Sequence, residues 1–352
     1  MSEATSLLKV LFEANEWEKI EAAINNETDI NALDNDGYTL LSYAVMSNEP
    51  DNVRKILGLG ADVNIKLGLK FNVLGYIALL FATNEQVGKR VNDVNPEIIS
   101  ILIQAGADMS DAMLIGIRSG SVEFIDLLFQ NGADINGKFA EDLTPFAIAI
   151  LGMKKTMKPE ILQYLAEHGA NLDEIFDLGD NVITTALNIC VTMGRIDLMR
   201  ILLEHGANPN IQDDRGRVPL LLASLLGNID AEDVTCLLDA GADVNAHDEK
   251  GLTVLMWVII TRDNSAKFMI SALIQTGGLC TENGEKFAGF CYAVSALKRE
   301  NQLEIVRLLI KRGADVKLRA KNGMNALNYA AMNFDNEIVS ILKNAGANNN
   351  KS

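Results

Sequence analysis

The sequence predicts an all-α solenoid of stacked helix-turn-helix units joined by short β-hairpin-like fingers. Three observations predict it. A phrase of the form Gly-Ala-Asp/Asn-x-Asn recurs along the 352 residues. The glycine of that phrase returns at intervals mostly in the thirties, which is the period of a solenoid repeat. Each glycine follows a stretch with apolar residues at i, i+3 and i+4, the spacing of one helix face.

The phrase stands at Gly58–Asn64, Gln104–Asp108, Asn131–Asn136, Glu167–Asp173, Glu204–Asn210, Ala240–Asn245, Arg312–Val316 and Ala345–Asn348, with weaker copies at Asn26–Asn31 and Thr276–Leu279. With Glu27 marking the first copy and the glycine the rest, the intervals run 33, 46, 26, 37, 37, 35, 36, 36 and 33. Helices such as that carrying Leu198, Ile201 and Leu202, or Ile305, Leu308 and Leu309, end at the glycine. A residue without Cβ accepts the left-handed conformation a helix C-terminus demands. Next comes a finger of tight-turn residues, as at Asp34–Thr39, Asp213–Val218, Asp248–Thr253 and Ala320–Asn325. A shorter helix follows, opened at Thr39, Thr144, Val218 or Asn325, and Pro145 and Pro219 suit its first position.

In chain order, helix pairs are expected to start near residues 5, 36, 71, 111, 144, 184, 218, 253, 287 and 325. The expected organisation is one array over residues 1–352: a cap at about 5–31, repeats at about 32–318, a capping repeat at about 319–348, and a fraying tail. Two intervals break the period. The 46 residues from Gly60 to Gly106 imply a polar loop at Thr83–Asn95 between the two helices of the third unit, with Pro96 reopening the second. The 26 residues from Gly106 to Gly132 leave no room for a finger at Asp108–Gly116. The stretch Asp173–Asn181 lengthens one finger and carries Phe176, which is either an exposed contact or folded back on the stack.

The order of turn, short helix, second helix and G-A-D-x-N resembles the ankyrin repeat, from about Leu7 to Asn348. The His of its T-P-L-H opening is absent, and Ser42, Ala147, Leu221 and Asn328 stand in its place. The resemblance implies a concave face of finger tips and first helices that binds a protein. Carried over by alignment, that face comprises Asn35, Asp36 and Tyr38; Lys138, Glu141 and Leu143; Asp214, Arg215 and Arg217; His247, Glu249, Lys250 and Leu252; and Arg319, Lys321 and Met324, with Phe176 added from the long finger. Arg and Tyr are the expected anchors, because such residues dominate binding hot spots.

Composition narrows the function. With 48% apolar residues the chain fills a core, and 47 acids against 31 bases give a net charge of −16. That charge disfavours nucleic acid and favours a protein partner with a basic surface. The sign is uneven: residues 286–352 hold eleven Lys or Arg against five acids, and residues 1–64 hold four against twelve. No signal-peptide pattern opens the chain, and its longest apolar run, Val254–Ile260, is far short of the roughly 20 residues of a membrane span. The expectation is a soluble, cytoplasmic protein without membrane insertion, monomeric when unbound; secretion by a non-classical route stays open.

Cys190, Cys236, Cys280 and Cys291 show no close pairing and read as reduced thiols. His168, His205 and His247 have no metal-ligand spacing, and Gly277–Lys286 lacks the ending of a phosphate-binding loop. No catalytic constellation, cofactor or metal site is expected, and the function read is a non-enzymatic interaction scaffold. Two alternatives stand beside it: an inhibitor, immunity-type or host-targeting effector protein that occludes or captures an enzyme, and a ligand site or activity grafted at residues 83–95.

Overall fold

The computed structural model describes residues 16–24, 29–68, 70–87, 94–152, 159–178, 183–226, 230–261 and 300–347. They belong to two compact units, Met1–Asn171 and Leu172–Ser352.

The first unit opens with helix α1 (Trp17–Ala23) and continues through four helix pairs. These are α2 (Leu40–Met46) with α3 (Pro50–Gly58), α4 (Val73–Val87) with α5 (Pro96–Gln104), α6 (Ser110–Ser119) with α7 (Val122–Gln130), and α8 (Pro145–Leu151) with α9 (Pro159–Glu167). Local chemistry sets the starts. The Thr39 hydroxyl accepts from Ser42 N–H while Ser42 Oγ accepts from Thr39 N–H, a reciprocal cap, and Thr144 caps α8 ahead of Pro145. The two helices of a pair bury differently. Second helices bury one stripe, such as Ile98, Ile99 and Leu102 in α5 or Ile161, Leu162 and Leu165 in α9. First helices lie between neighbours and are buried on most sides, as Leu40–Val45 and Pro145–Ile150 are. One pair alone would leave those faces wet, at about 1.5–3 kcal/mol per large apolar side chain, so each repeat requires the next.

The second unit starts with a hairpin of β1 (Ile175–Asp177) and β2 (Ile183–Thr185), antiparallel with Phe176 opposite Thr184. It continues with α10 (Ala186–Met193) and α11 (Ile196–Glu204), α12 (Pro219–Leu226) and α13 (Ala231–Asp239), helical residues 254–261 and 300–311, then α14 (Ala326–Met332) and α15 (Asn336–Asn344). The recurring glycine behaves as its chemistry requires. Gly206 takes φ +89°, and the N–H of Ala207 then returns to Leu202 O at 3.0 Å, closing α11.

The Asn that ends the phrase links successive repeats. Asn245 Oδ1 accepts from Asp315 N–H at 2.8 Å, and its Nδ2 donates to Gly313 O at 3.5 Å. Asn64 does the same with Asp108 and Gly106, Asn136 with Asn171 and Gly169, and Asn210 with Asp243 and Gly241. Asn31 holds Asp62, and Asp173 holds Asn208 through the acceptor alone. One amide therefore satisfies a donor and an acceptor that the helix end leaves open in the next repeat.

The structure corrects one expectation of organisation. Residues 83–87 are not loop: α4 runs on through Val87, so the interruption of the third unit starts later. Residues 88–93 lie outside the described residues, and Asn95 is the N-cap of α5, its side chain accepting from Glu97 N–H. The polar letters at 83–87 include Glu85 and Gln86, strong helix formers that can carry α4 onward.

The start of the repeat expected near residue 287 lies outside the described residues. Residues 262–299, including the weak copy at Thr276–Leu279, lie outside the described residues, and the described residues on either side close on each other directly. Gln302 Nε2 donates to Val258 O at 2.7 Å, joining residues 254–261 and 300–311 as the two helices of one repeat. Lys321 N–H donates to Lys250 O at 2.9 Å, Asn333 Nδ2 to Ile259 O at 3.0 Å, and Arg312 pairs with Asp239 at 2.7 Å. Among the described residues, fingers, first helices and second helices on either side of residues 262–299 are thus in direct contact. The expected start near residue 5 and the tail beyond Ala347 lie outside the described residues. Between Gly106 and Ser110 the chain enters α6 without a finger.

Candidate functional site

The finger is built around one aspartate. Asp34 Oδ1 accepts from Asp36 N–H at 2.9 Å and Tyr38 N–H at 2.8 Å, and the backbone closes from Asp34 N–H to Tyr38 O at 2.9 Å. Asp213 makes the same loop with Arg215 and Arg217, and Asp248 with Lys250 and Leu252. A carboxylate that binds its own chain two and four residues on is a turn in itself. In the first finger this turn needs Gly37, which has φ +80° and lies against Gly68, where a Cβ would come within 2.7 Å of a backbone atom. The Gly68 N–H to Gly37 O bond of 2.9 Å joins the two fingers there.

The second carboxylate oxygen is aimed at the stack. Asp34 Oδ2 accepts the Tyr43 hydroxyl of α2, and Asp248 Oδ2 accepts Trp257 Nε1 at 3.2 Å. In the middle finger Arg217 takes that oxygen itself, with Nε 2.8 Å from Asp213 Oδ2. Burial alone would raise the Asp34 carboxyl; the Tyr43 hydroxyl and the N–H groups of Tyr38, Asp36 and Gly37 outweigh it and hold it below the usual range. Tyr43 is pushed up by burial and by Asp34, so both groups keep the charge states that suit their bond.

An aromatic cluster flanks the first finger. The Tyr38 ring lies 5.8 Å from Tyr43, tilted by 53°, and 5.8 Å from Tyr76 of α4, edge-on at 74°. Burial, with Tyr38 alongside, pushes the Tyr76 phenol up to about 12. Such pairs stabilise by about 0.5–1.5 kcal/mol beyond their burial and present a stiff surface.

The residues selected from sequence divide into three groups. Asn35, Asp36, Lys138, Glu141, Asp214, Arg215, His247, Glu249, Lys250 and Lys321 are exposed on fingers. Tyr38, Leu143, Arg217, Arg319 and Met324 are half-buried; Arg217 is spent on Asp213, and Arg319 Nη1 donates to Gly323 O at 2.7 Å. Lys138 is paired with Asp142 at 2.7 Å. Two selections are corrected. Phe176 is buried, at 4% exposure, because its side of the hairpin turns to the stack while Ile175 and Asp177 face out. Leu252 is buried at 8%, pointing into the stack behind the turn that Asp248 closes. Tyr43, Tyr76 and Trp257 are the side chains beside the fingers that the sequence reading omitted. Their one sequence signal is an aromatic nine residues after the finger aspartate at Tyr43 and Trp257.

Cys190, His168 and His205 are each held by their surroundings. Cys190 is buried and its thiol is pushed up to about 12 by that burial, far from a reactive thiolate. His168 Nδ1 lies 2.7 Å from Tyr164 O with its ring stacked 4.0 Å from the Tyr164 ring, and His205 Nδ1 lies 2.8 Å from Ile201 O. Cys280 and Cys291 lie outside the described residues. Among the described residues no group of three His, Cys, Asp or Glu side chains is placed to hold a metal ion, and no helix is long and apolar enough to cross a membrane.

Comparison with known proteins gives a consistent family. A family model described as ankyrin repeats in three copies matches residues 117–213, 187–283, 220–319 and 290–352, and a single ankyrin-repeat model matches residues 36–66. The E3 ubiquitin-protein ligase KEG of Arabidopsis thaliana is 26% identical over 270 residues, covering 71% of this chain and 16% of that protein. Ankyrin repeat and SOCS box protein 6 of Homo sapiens is 32% identical over 181 residues, covering 50% of this chain and 33% of that protein. The chain thus spans a third or less of these relatives' own length. A crystal structure of an ankyrin repeat domain from Acinetobacter baumannii is similar at 21% identity and a TM-score of 0.47, covering 67% of this chain and 98% of that one.

Proposed function

The chain belongs to the ankyrin-repeat family, and from that premise we propose that its interaction-scaffold function is carried by the finger row, which grips one protein partner. A protein-protein interaction module is what the family supplies; the row, the residues and the non-catalytic role are this proposal. The observation that carries it is the hook at Asp34, Asp213 and Asp248. Each fixes a finger against its repeat and leaves the tip side chains Asp36, Arg215, Glu249 and Lys250 exposed on a stiff backbone. Preorganised polar and aromatic groups lose little freedom on binding, and that makes a surface adhesive.

No observation singles out an inhibitor or effector role, and a site at residues 83–95 loses ground because Thr83–Val87 continue α4. The direct test is affinity capture of partners from native cell extract followed by Arg215→Glu. Arg215 is the proper probe, because Arg217→Glu would also break the Asp213 hook. Loss of the captured protein supports the reading; unchanged capture removes that finger from it.

A further inference from the structure

In a chain of net charge −16, residues 246–252 and 317–324 hold four Lys or Arg (Lys250, Lys317, Arg319 and Lys321) against two acids, Asp248 and Glu249. Across the second unit, arginines are matched with carboxylates: Arg195 with Asp197, Arg200 with Glu232 and Asp233, Arg217 with Asp213, Arg307 with Glu337, and Arg312 with Asp239. Lys250, Lys317 and Lys321 are exposed, and among the described residues none has a carboxylate at ion-pair distance. They are also held together. The bond from Lys321 N–H to Lys250 O, 2.9 Å long, starts both side chains from directly joined backbones. The Asp315 carboxylate fixes the Lys317 N–H at 2.8 Å, while Asn245 fixes the Asp315 N–H. Exposed His247 occupies in one finger the place that Arg319 has in the next, each paired in an isolated bridge with the residue that opens the following helix.

Like charges anchored on adjacent backbones repel one another, and an incoming anion relieves that repulsion without first breaking an ion pair. Screening confines the remaining acidity of the chain to about 8–10 Å, so the local sign governs what docks here. We propose that residues 246–252 and 317–324 form a basic platform for an acidic segment, a short run of Asp and Glu, of the protein partner. The inference rests on the proposed scaffold function and gives a sign to the partner segment bound by these two fingers. A nucleic acid is the poorer occupant. A duplex carries a charge about every 1.7 Å of its axis and needs a long basic track, whereas exposed Glu249 stands beside Lys250 and interrupts one here.

The test titrates the full chain into a fluorescein-labelled ten-residue peptide of alternating Glu and Asp, read by anisotropy at low and high salt. Lys250→Glu with Lys321→Glu is expected to weaken binding at least tenfold, and Lys311→Glu with Lys343→Glu, on second helices, by less than twofold. Circular dichroism verifies that both variants fold. Equal losses in the two variants, or wild-type affinity in the finger variant, overturn the platform. Single-stranded DNA ten nucleotides long binding as tightly as the peptide, with the same sensitivity to Lys250 and Lys321, overturns the assignment to an acidic peptide. A failed titration leaves partner capture through Arg215 intact, so the two readings fail separately.

Discussion

Trp257 Nε1 donates a hydrogen bond to Asp248 Oδ2 at 3.2 Å, tying the first helix of a repeat to the base of its own finger. Tyr43 and Asp34 are joined over the same nine-residue span in the first unit. In each, one carboxylate oxygen holds the finger's N–H groups and the other holds the stack, so a single side chain sets the pose of the binding surface.

Asp248→Ala should therefore cost about 2 kcal/mol, the loss of charge-assisted bonds with two finger N–H groups and the indole left unmatched. In a Trp17→Phe background Trp257 is the remaining tryptophan, so its fluorescence reports this place alone. A lowered urea midpoint with a changed Trp257 emission is expected; an unchanged midpoint contradicts the hook.

The hook gives a pH dependence with a definite sign. The Asp34 carboxyl is held below its usual range, and hydrogen bonds from Arg195 hold Asp197 down likewise. A carboxyl depressed in the folded state contributes stability that is complete above its unfolded value of about 3.9 and lost as pH falls through the folded value. The urea midpoint should be flat from pH 7 to 5 and fall below pH 4, and Asp34→Asn should reduce that fall. A fall of wild-type size in Asp34→Asn contradicts the role given to Asp34.

Asn245→Ala removes the clasp on Asp315 N–H and Gly313 O, and a cost of about 1–2 kcal/mol is expected. Hydrogen exchange at the Asp315 amide should quicken while the Asp243 amide, held by Asn210, keeps its protection. Equal exchange at both positions before and after substitution counts against the ladder.

Residues 254–261 and 300–311 act as one repeat, so the stack should survive removal of what lies between them in sequence. Replacing residues 262–299 with the Gly-Arg turn that joins α10 to α11 should preserve helical circular dichroism and a cooperative thermal transition. Collapse of the transition would show that the segment carries a necessary layer.

Phe334 sits at φ +54° in the turn between α14 and α15 with 89% exposure, where the α2–α3 turn has Asn48 at φ +58°. The left-handed region penalises a bulky side chain, and nothing buried repays it. Phe334→Gly should stabilise by about 1 kcal/mol, a rise of about 2–4 °C in melting temperature. A lower melting temperature would mean the ring does unrecognised structural work.

Helix ends and repeat phase were legible because they rest on local chemistry: Gly206 and Gly313 close helices through their own backbone freedom. Which way a finger residue points was not. Phe176 and Ile175 are adjacent in sequence, and only the strand register with Thr184 decides that the ring faces inward. Leu252 looked like a tip residue because its neighbours Glu249 and Lys250 are, yet it lies behind the turn. The polar letters of Thr83–Val87 look like loop by polarity, although Glu85 and Gln86 carry helix propensity.

The central claim, that the finger row grips a protein, is tested most directly by placing a photo-crosslinking amino acid at single positions in the native cell extract. Asp36, Arg215 and Lys250 are finger positions, and Glu123 and Glu204 lie on second helices. The account predicts a shared crosslinked protein from the finger positions and none from Glu123 or Glu204. Crosslinks confined to the second helices, with bare fingers, would contradict it.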